Sequence, residues 1–274
     1  MSIFTTPGHF YCPLPDIEEI KNSPEKFFND KKNLLDIDLN TEGQLSLLNN
    51  LSLFYNEFLQ HTYKNLRYKL NNGWYGLNDA FILYSMIRYL KPKRIIEIGC
   101  GFSSSIILDT NELFFNNQIK CTFIEPYPDR LYKIIKEEDK SNIEINVTNL
   151  QNIDLQVFSQ LEENDILFID SSHTLKIGSD VSKIFFEILP TLNKNVYIHF
   201  HDIFYPFEYP MNWIFEGRAW NEAYVLRAFL QNNNNYKIQY FNNYICQKYF
   251  DVLNNKIPLC LLDPGGNFWL KKVK

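Results

Sequence analysis

The sequence predicts an α/β fold, a mostly parallel sheet with helices on its faces, and three observations predict it. Short runs rich in β-branched or apolar residues recur at 94–98, 121–125, 143–147, 166–169 and 196–200, separated by stretches of helical spacing. The run at 166–169, Ile-Leu-Phe-Ile, is apolar on both faces, as a central parallel strand must be. Four of the runs end in glycine or an ionisable residue, so polar chemistry collects at the carboxyl edge of the sheet, where open α/β sheets keep their ligands.

Bulk properties narrow the partners. At 274 residues the chain fits one α/β domain with an appended segment. A net charge of −5 and a pI near 5.6 argue against a nucleic-acid groove, which would cluster Lys and Arg. No run approaches the ~20 apolar residues needed to span a bilayer. The start has neither a basic nor an apolar leader region, so a cytoplasmic protein with no membrane partner is expected. Five scattered cysteines (Cys12, Cys100, Cys121, Cys246, Cys260) lack Cys-x-x-Cys spacing and imply neither a disulfide framework nor a zinc site.

Taken in order, residues 1–77 read as a helical extension. Pro7-Gly8, Pro13 and Pro15 mark an irregular start; then 45–70 carries apolar residues at helical spacing, among them Leu47, Leu48, Leu51, Tyr55 and Phe58. That aromatic face serves either the core or a contact between two copies in a homodimer. Residues 71–76, Asn-Asn-Gly-Trp-Tyr-Gly, form a turn whose Trp74-Tyr75 pair lies near the ligand edge. Asn78 is expected to cap a helix over 79–90 that stops before Pro92.

The main domain then spans 78–274. The strand at 94–98 leads through Gly99-Cys100-Gly101 into a helix over 103–113. The strand at 121–125 precedes a helix over 129–138. The strand at 143–147 runs through a loop at 149–152 to a short helix at 154–161. After 166–169 comes a helix over 180–189, ended by Pro190, and then the strand at 196–200. Residues 203–222 are aromatic and proline-broken, which suits a lid over the strand ends. A helix to residue 230 and two last strands, 236–241 and 265–270, complete a sheet of seven.

The chemistry centres on Glu97-Ile98-Gly99-Cys100-Gly101-Phe102-Ser103-Ser104. The glycines let a tight turn close and let backbone approach a ligand, and the serines can cap the next helix. A dinucleotide fingerprint would place a third glycine where Ser104 stands, and Glu97 would repel a pyrophosphate. An ammonium group would instead be attracted to Glu97. The chain here resembles the class I S-adenosylmethionine-dependent methyltransferases, whose first motif is Glu/Asp-x-Gly-x-Gly. The resemblance implies a Rossmann-like seven-stranded sheet and a donor site of Glu97, Gly99, Gly101, Ser103 and Ser104. Glu125, at the second strand end and about the ~20-residue spacing beyond the turn, suits the ribose hydroxyls. Tyr127, Gln151 and Asp170 complete the expected cofactor contacts.

Asp170-Ser171-Ser172-His173 and His201-Asp202 end the fourth and fifth strands. Methyl transfer to oxygen calls for a base, and a cation would stabilise the developing alkoxide. These residues resemble the Asp-x-x-His and paired acidic motifs of metal-dependent sugar O-methyltransferases from macrolide biosynthesis. That implies Asp170, His201 and Asp202 as ligands of Mg²⁺ or Mn²⁺, with His173, His201 and Asp170 as catalytic residues and His173 as base. Two departures stand out: His201 occupies an acidic position of that family, and Ile203 replaces the Asn of catechol-type enzymes. Closer in wording is a bacterial group with Phe-Ile-Asp-x-Ser-His, His-Asp-Ile-Phe and a terminal Trp-Leu strand, matched over residues ~70–274. His199, one pleat before His201, reads as a hydrogen-bonded core residue.

The expected activity is therefore methyl transfer from S-adenosylmethionine to a hydroxyl of a small polar acceptor. Through the bacterial group, that acceptor is an activated sugar or nucleotide-sugar of surface-polysaccharide biosynthesis. Two other readings stay open at this point: a nucleotide-dependent oxidoreductase or hydroxylase on a Rossmann-like sheet, and a non-catalytic subunit that retains the fold.

Overall fold

Seven strands, β1 (Arg94–Ile98), β2 (Lys120–Ile124), β3 (Ile143–Asn146), β4 (Ile166–Ile169), β5 (Tyr197–Phe200), β6 (Tyr236–Phe241) and β7 (Phe268–Lys272), form one sheet in this computed structural model. The structure describes residues 4–28, 34–62, 66–70 and 72–274. The strand order is β3-β2-β1-β4-β5-β7-β6; β1 to β5 are parallel, and β7 runs antiparallel to both of its neighbours. This is the Rossmann-like sheet expected. Its order reverses between β1 and β4, so a crevice opens at their carboxyl ends.

The helices are, ahead of the sheet, α1 (Ile17–Asn22), α2 (Pro24–Phe27), α3 (Thr41–Ser52), α4 (Tyr55–Thr62) and α5 (Leu77–Leu90). Next come α6 (Phe102–Phe115), α7 (Asp129–Ile134) and α8 (Gln156–Ser159) after β1, β2 and β3. After β4, α9 (Asp180–Lys183), a π turn (Ile184–Ile188) and α10 (Leu189–Thr191) make one segment. Then α11 (Met211–Phe215) and α12 (Glu222–Leu230) follow β5, while α13 (Asn242–Lys248) and α14 (Phe250–Lys256) lie between β6 and β7. Strands β4 and β5 are buried at every position, which fits their all-apolar or His-containing sequence.

Several expected elements change shape for identifiable reasons. The helix expected over 45–70 is two helices, and residues 63–65 of that stretch, like Asn71 of the next turn, lie outside the described residues. Tight turns from Leu53 N–H to the Asn50 carbonyl and from Phe54 N–H to Leu51 break it. Leu48 and Leu51 are thereby buried on α3, which packs on β6 and α5, while Tyr55 and Phe58 of α4 set their rings against Phe81. Asn78 does not cap α5. Gly76 takes the cap position, and the buried Asn78 side chain donates to the Pro264 carbonyl at 3.4 Å. The helix from Asp180 passes through Pro190 to Thr191, because the π turn ahead of it loosens the ladder that proline cannot join. The helix expected over 129–138 stops at Ile134, and a 3₁₀ turn, Glu137–Ser141, replaces its end.

Cys12, Cys100, Cys121 and Cys246 are free thiols; the Cys260 side chain is outside the described set. Among the described residues no helix is long and apolar enough to cross a membrane.

A buried ion network anchors the segment before α5. Arg67 bridges Asp109 at 2.9 Å, Asp139 at 2.5 Å and Glu112 at 2.7 Å, with Lys136 completing the Glu112 pair at 2.7 Å. Asp109 also accepts the Arg67 and Tyr68 amides, so α6, the 3₁₀ turn and this segment are fastened at one point. Removing a single partner leaves buried carboxylates uncompensated. Arg67→Met is therefore expected to lower stability by about 3–5 kcal/mol, read as a shift in the urea unfolding midpoint at unchanged slope.

Candidate active site

The glycine turn after β1 is set by backbone. Gly99 has φ +80, and a Cβ there would fall 1.8 Å from the Asp170 carbonyl oxygen, so only glycine lets the ends of β1 and β4 approach this closely. Asp170 N–H donates to Ile98 and Gly99 N–H to Ile124, tying three strand ends together. Gly101 caps α6, and its N–H donates to Ser104 Oγ at 3.1 Å.

Glu97 does not face the ligand edge. It is fully buried beneath the turn, and its carboxylate accepts hydrogen bonds from the Ser103 and Ser104 hydroxyls, the latter at 2.6 Å. The expected attraction to an ammonium group gives way to a different role: it holds the first turn of α6 against β1. Burial pushes the Glu97 carboxyl up to about 8, against the pull of the two hydroxyls, with Asp170 and Glu125 adding to the rise.

Glu125, by contrast, is half-exposed just past β2. Its Oε2 accepts the Cys100 amide at 3.1 Å and Oε1 accepts the Tyr127 amide at 2.8 Å, which orients the carboxylate at the mouth of the crevice. Two cavities meet there. One of about 400 Å³ is lined by Glu125, Tyr127, Leu150, Gln151 and Lys176; one of about 760 Å³ is lined by Gly101, Phe102, Ser103, the ends of β4 and β5, and the 203–222 segment. Gly99, Glu125 and Asp170 line both. Tyr127 stands exposed at the smaller cavity, and Gln151 there donates to the Gly178 carbonyl at 2.6 Å. Trp74, exposed, and Tyr75, buried with its ring 5.2 Å from that of His201, belong to the larger one.

At the floor of the larger cavity, one ligand atom from each of Asp170, His173 and Asp202 lies within 4.8 Å of the others. His173 Nε2 is 3.3 Å from Asp170 and 3.8 Å from Asp202. His173 and Asp202 sit at positive φ, +55 and +58, a conformation that aims both side chains inward from the loops after β4 and β5. His173, rather than the expected His201, is the imidazole grouped with the two acids. His201 contacts Asp202 at 3.6 Å through Nε2, and its buried Nδ1 has no hydrogen-bond partner among the described residues.

Glu222 joins the cluster without a signal in the sequence. Its buried carboxylate accepts from His173 Nδ1 at 2.9 Å and from Ser171 Oγ at 2.9 Å, fixing the ring so that Nε2 faces Asp170 and Asp202. Nothing local marks Glu222; it opens α12, far along the chain, and only the return of that helix to β4 brings it in. Burial alone would lower the His173 pKa, but hydrogen bonds to Asp170 and Glu222 override it and raise it well above the usual value. Burial raises Asp170 too, yet His201 and His173 prevail and hold it below the ordinary range. Asp202 is raised, chiefly by burial, despite His201. His199 is a core residue as read: it stacks on Phe168 at 4.0 Å and pairs with Asn267 at 2.7 Å.

Comparison with known proteins identifies the domain. Residues 96–203, from β1 to just past β5, match the family described as methyltransferase domain. An uncharacterised protein of Archaeoglobus fulgidus is 40% identical over 168 residues, covering 58% of this chain and 75% of that protein. Residues 96–203 give this chain a methyltransferase domain. The chain is an S-adenosylmethionine-dependent methyltransferase, which sets aside the oxidoreductase reading. Among solved structures, the O-methyltransferase TomG from Streptomyces achromogenes, in complex with S-adenosylmethionine, is similar at 12% identity and TM-score 0.47, covering 93% of this chain and 96% of that one. CmcI with Mg and S-adenosylmethionine is similar at 17% identity and TM-score 0.43, covering 73% of each chain.

The raised pKa of Glu97 makes the methyltransferase's stability pH-dependent. A carboxyl whose folded pKa lies above its unfolded value favours the folded state fully at low pH, and that contribution is lost as pH rises from about 4.5 towards 8. Glu97→Gln removes this titration. The stability difference, variant minus parent, is expected to grow in the variant's favour between pH 5 and 8; a difference flat with pH, by thermal melts across that range, refutes it.

Proposed function

We propose that this methyltransferase transfers a methyl group to a hydroxyl oxygen of a small polar acceptor, with a carbohydrate, such as an activated sugar, as the first choice. The observation that carries the oxygen-directed reading is the Asp170–His173–Asp202 cluster on the floor of the larger cavity. Two carboxylates and one imidazole, converging from two strand ends, are a donor set for Mg²⁺ or Mn²⁺. Glu222 on His173 Nδ1 supports the fit, since a carboxylate behind a ligating histidine fixes the tautomer that offers Nε2.

In this reading Glu125 takes the ribose hydroxyls of the donor, and Tyr127 and Gln151 flank its base in the smaller cavity. Gly99 and Gly101 let the rest of the donor cross the turn towards Asp170. The donor supplies an electrophilic methyl when bound, and a divalent cation supplies charge stabilisation for the acceptor oxygen. Asp170, Asp202 and His173 would hold that cation. His201 stands on the same wall, free of any role as ligand, and takes the hydroxyl proton. The roles expected for the two histidines thus exchange. Trp213 and Trp220 close the outer side and keep water from the reacting oxygen.

The test separates donor from metal. Glu125→Ala is expected to weaken S-adenosylmethionine binding about tenfold or more in calorimetry, since two hydroxyls lose a charged acceptor. Asp202→Asn is expected to leave donor binding within about twofold while abolishing both Mn²⁺ binding, seen by electron paramagnetic resonance, and cation-stimulated methyl transfer. Full activity in chelator-treated protein, with no Mn²⁺ signal in the parent, refutes the cation-assisted reading.

A further inference from the structure

The larger cavity holds more than a donor's tail and a cation site, and its outer wall has a distinct chemistry. Arg218 lies over two indoles at once, its guanidinium carbon 4.2 Å from the Trp213 ring centre and 4.9 Å from that of Trp220. The two indoles meet edge to face at 5.2 Å, and Trp220 in turn rests 4.2 Å from the His173 ring. Tyr209 braces Trp220 from behind at 5.9 Å. Arg218, Trp213 and Trp220 line the cavity together with Asp202. A guanidinium is thus held against a shelf of two indoles beside the Asp170–His173–Asp202 cluster.

We infer that Arg218 and its indole shelf form the acceptor subsite, and that the acceptor carries an anionic group, phosphate or carboxylate, attached to the ring that bears its hydroxyl. This rests on the O-methyltransferase reading above and names the acceptor's class.

Charge is the first argument. The acids facing the larger cavity are Glu125, Asp170 and Asp202, and each has a use: the ribose for the first, a cation for the other two. The arginines are left over. Arg130 sits beside Gly101, where a Cβ would meet its Cδ at 3.2 Å, so it belongs to the donor side. Arg218 faces the acceptor side. Its Nε and Nη2 hold Glu216 at 2.9 and 2.8 Å, but Glu216 is half exposed, and such a pair is weak in water and readily exchanged. Nη1 makes no hydrogen bond among the described residues.

Shape is the second argument. Two indoles set nearly at right angles confine the guanidinium between them, and its planar fork matches carboxylate and phosphate oxygens in pairs. The same indoles offer flat apolar faces to a sugar or aromatic ring. A neutral acceptor would use the shelf and leave the arginine edge unmatched.

The test uses protein loaded with S-adenosylhomocysteine and matched pairs of compounds differing in one anionic group: glucose 1-phosphate against methyl glucoside, and 3,4-dihydroxybenzoate against catechol. Binding is read by calorimetry and by quenching of tryptophan fluorescence. In at least one pair the anion is expected to bind about tenfold or more tighter than its neutral twin, and Arg218→Gln should collapse that preference to less than about threefold. Arg218→Lys, which keeps the charge without the fork, should retain part of it. Donor affinity should stay within about twofold in both variants. Equal binding of both twins in every pair, or a preference that survives Arg218→Gln, overturns the subsite. Loss of donor binding in the parent protein would instead strike the methyltransferase reading beneath it.

Discussion

The close approach of Gly99 to the Asp170 carbonyl is the constraint on which the site depends. With a side chain at 99, the ends of β1 and β4 would have to part, because the clash is with backbone that cannot swing aside. That contact puts the glycine turn, Glu125 and the Asp170 loop around one crevice at the point where the strand order reverses. A similar approach recurs on the other side. A Cβ at Gly266 would fall 2.8 Å from the Asp202 backbone, so the turn before β7 presses the loop after β5 into place. The two acids of the cluster are thus each positioned by a glycine on a neighbouring element.

Such a site gathers like charges, and the surroundings show how the fold contains them. Glu97 is kept beneath the turn with two serine hydroxyls as partners, and Asp79 is buried behind Tyr75, where burial raises it to about 7 while it accepts the Gly266 amide and the Asn267 side chain. Neither needs a counter-ion while it holds its proton. At the open face, Asp170 and Asp202 are offset by His173, and Glu222 balances His173 from behind. A divalent cation and a protonated imidazole compete for the same carboxylates. The cluster is therefore neutralised either way, which lets two acids coexist at one strand edge.

The crevice proposed for the donor was legible as a place in the fold because its signals are local. Glycines, a strand, a helix start and an acid one strand later lie within about thirty residues, and the physics that orders them, backbone approach and hydrogen bonding, acts over that distance. The strand positions followed for the same reason. What the sequence did not yield depends on contacts between remote segments. Glu222 meets His173 across 49 positions, Asn78 turns inward to reach Pro264, and the split of one long helix into α3 and α4 follows from where Phe81 and β6 lie. The orientation of His173 against His201 is of this kind too, since a positive φ at 173 leaves no trace in the pattern of residues.

The same division separates the two proposed subsites. In the proposed donor crevice, backbone turns and a strand-end acid face the part of the ligand that every methyl transfer from this donor shares. The proposed acceptor subsite is built from side chains of 203–222, a segment outside the sheet, held by ring packing and by α12 returning to Ser171 and His173. Changing Trp213, Arg218 or Trp220 would alter none of the hydrogen bonds that fix the strand ends. Specificity can therefore vary on that wall while the proposed donor crevice stays as it is, and the arginine on its indole shelf is a cation there whose position the donor half does not require.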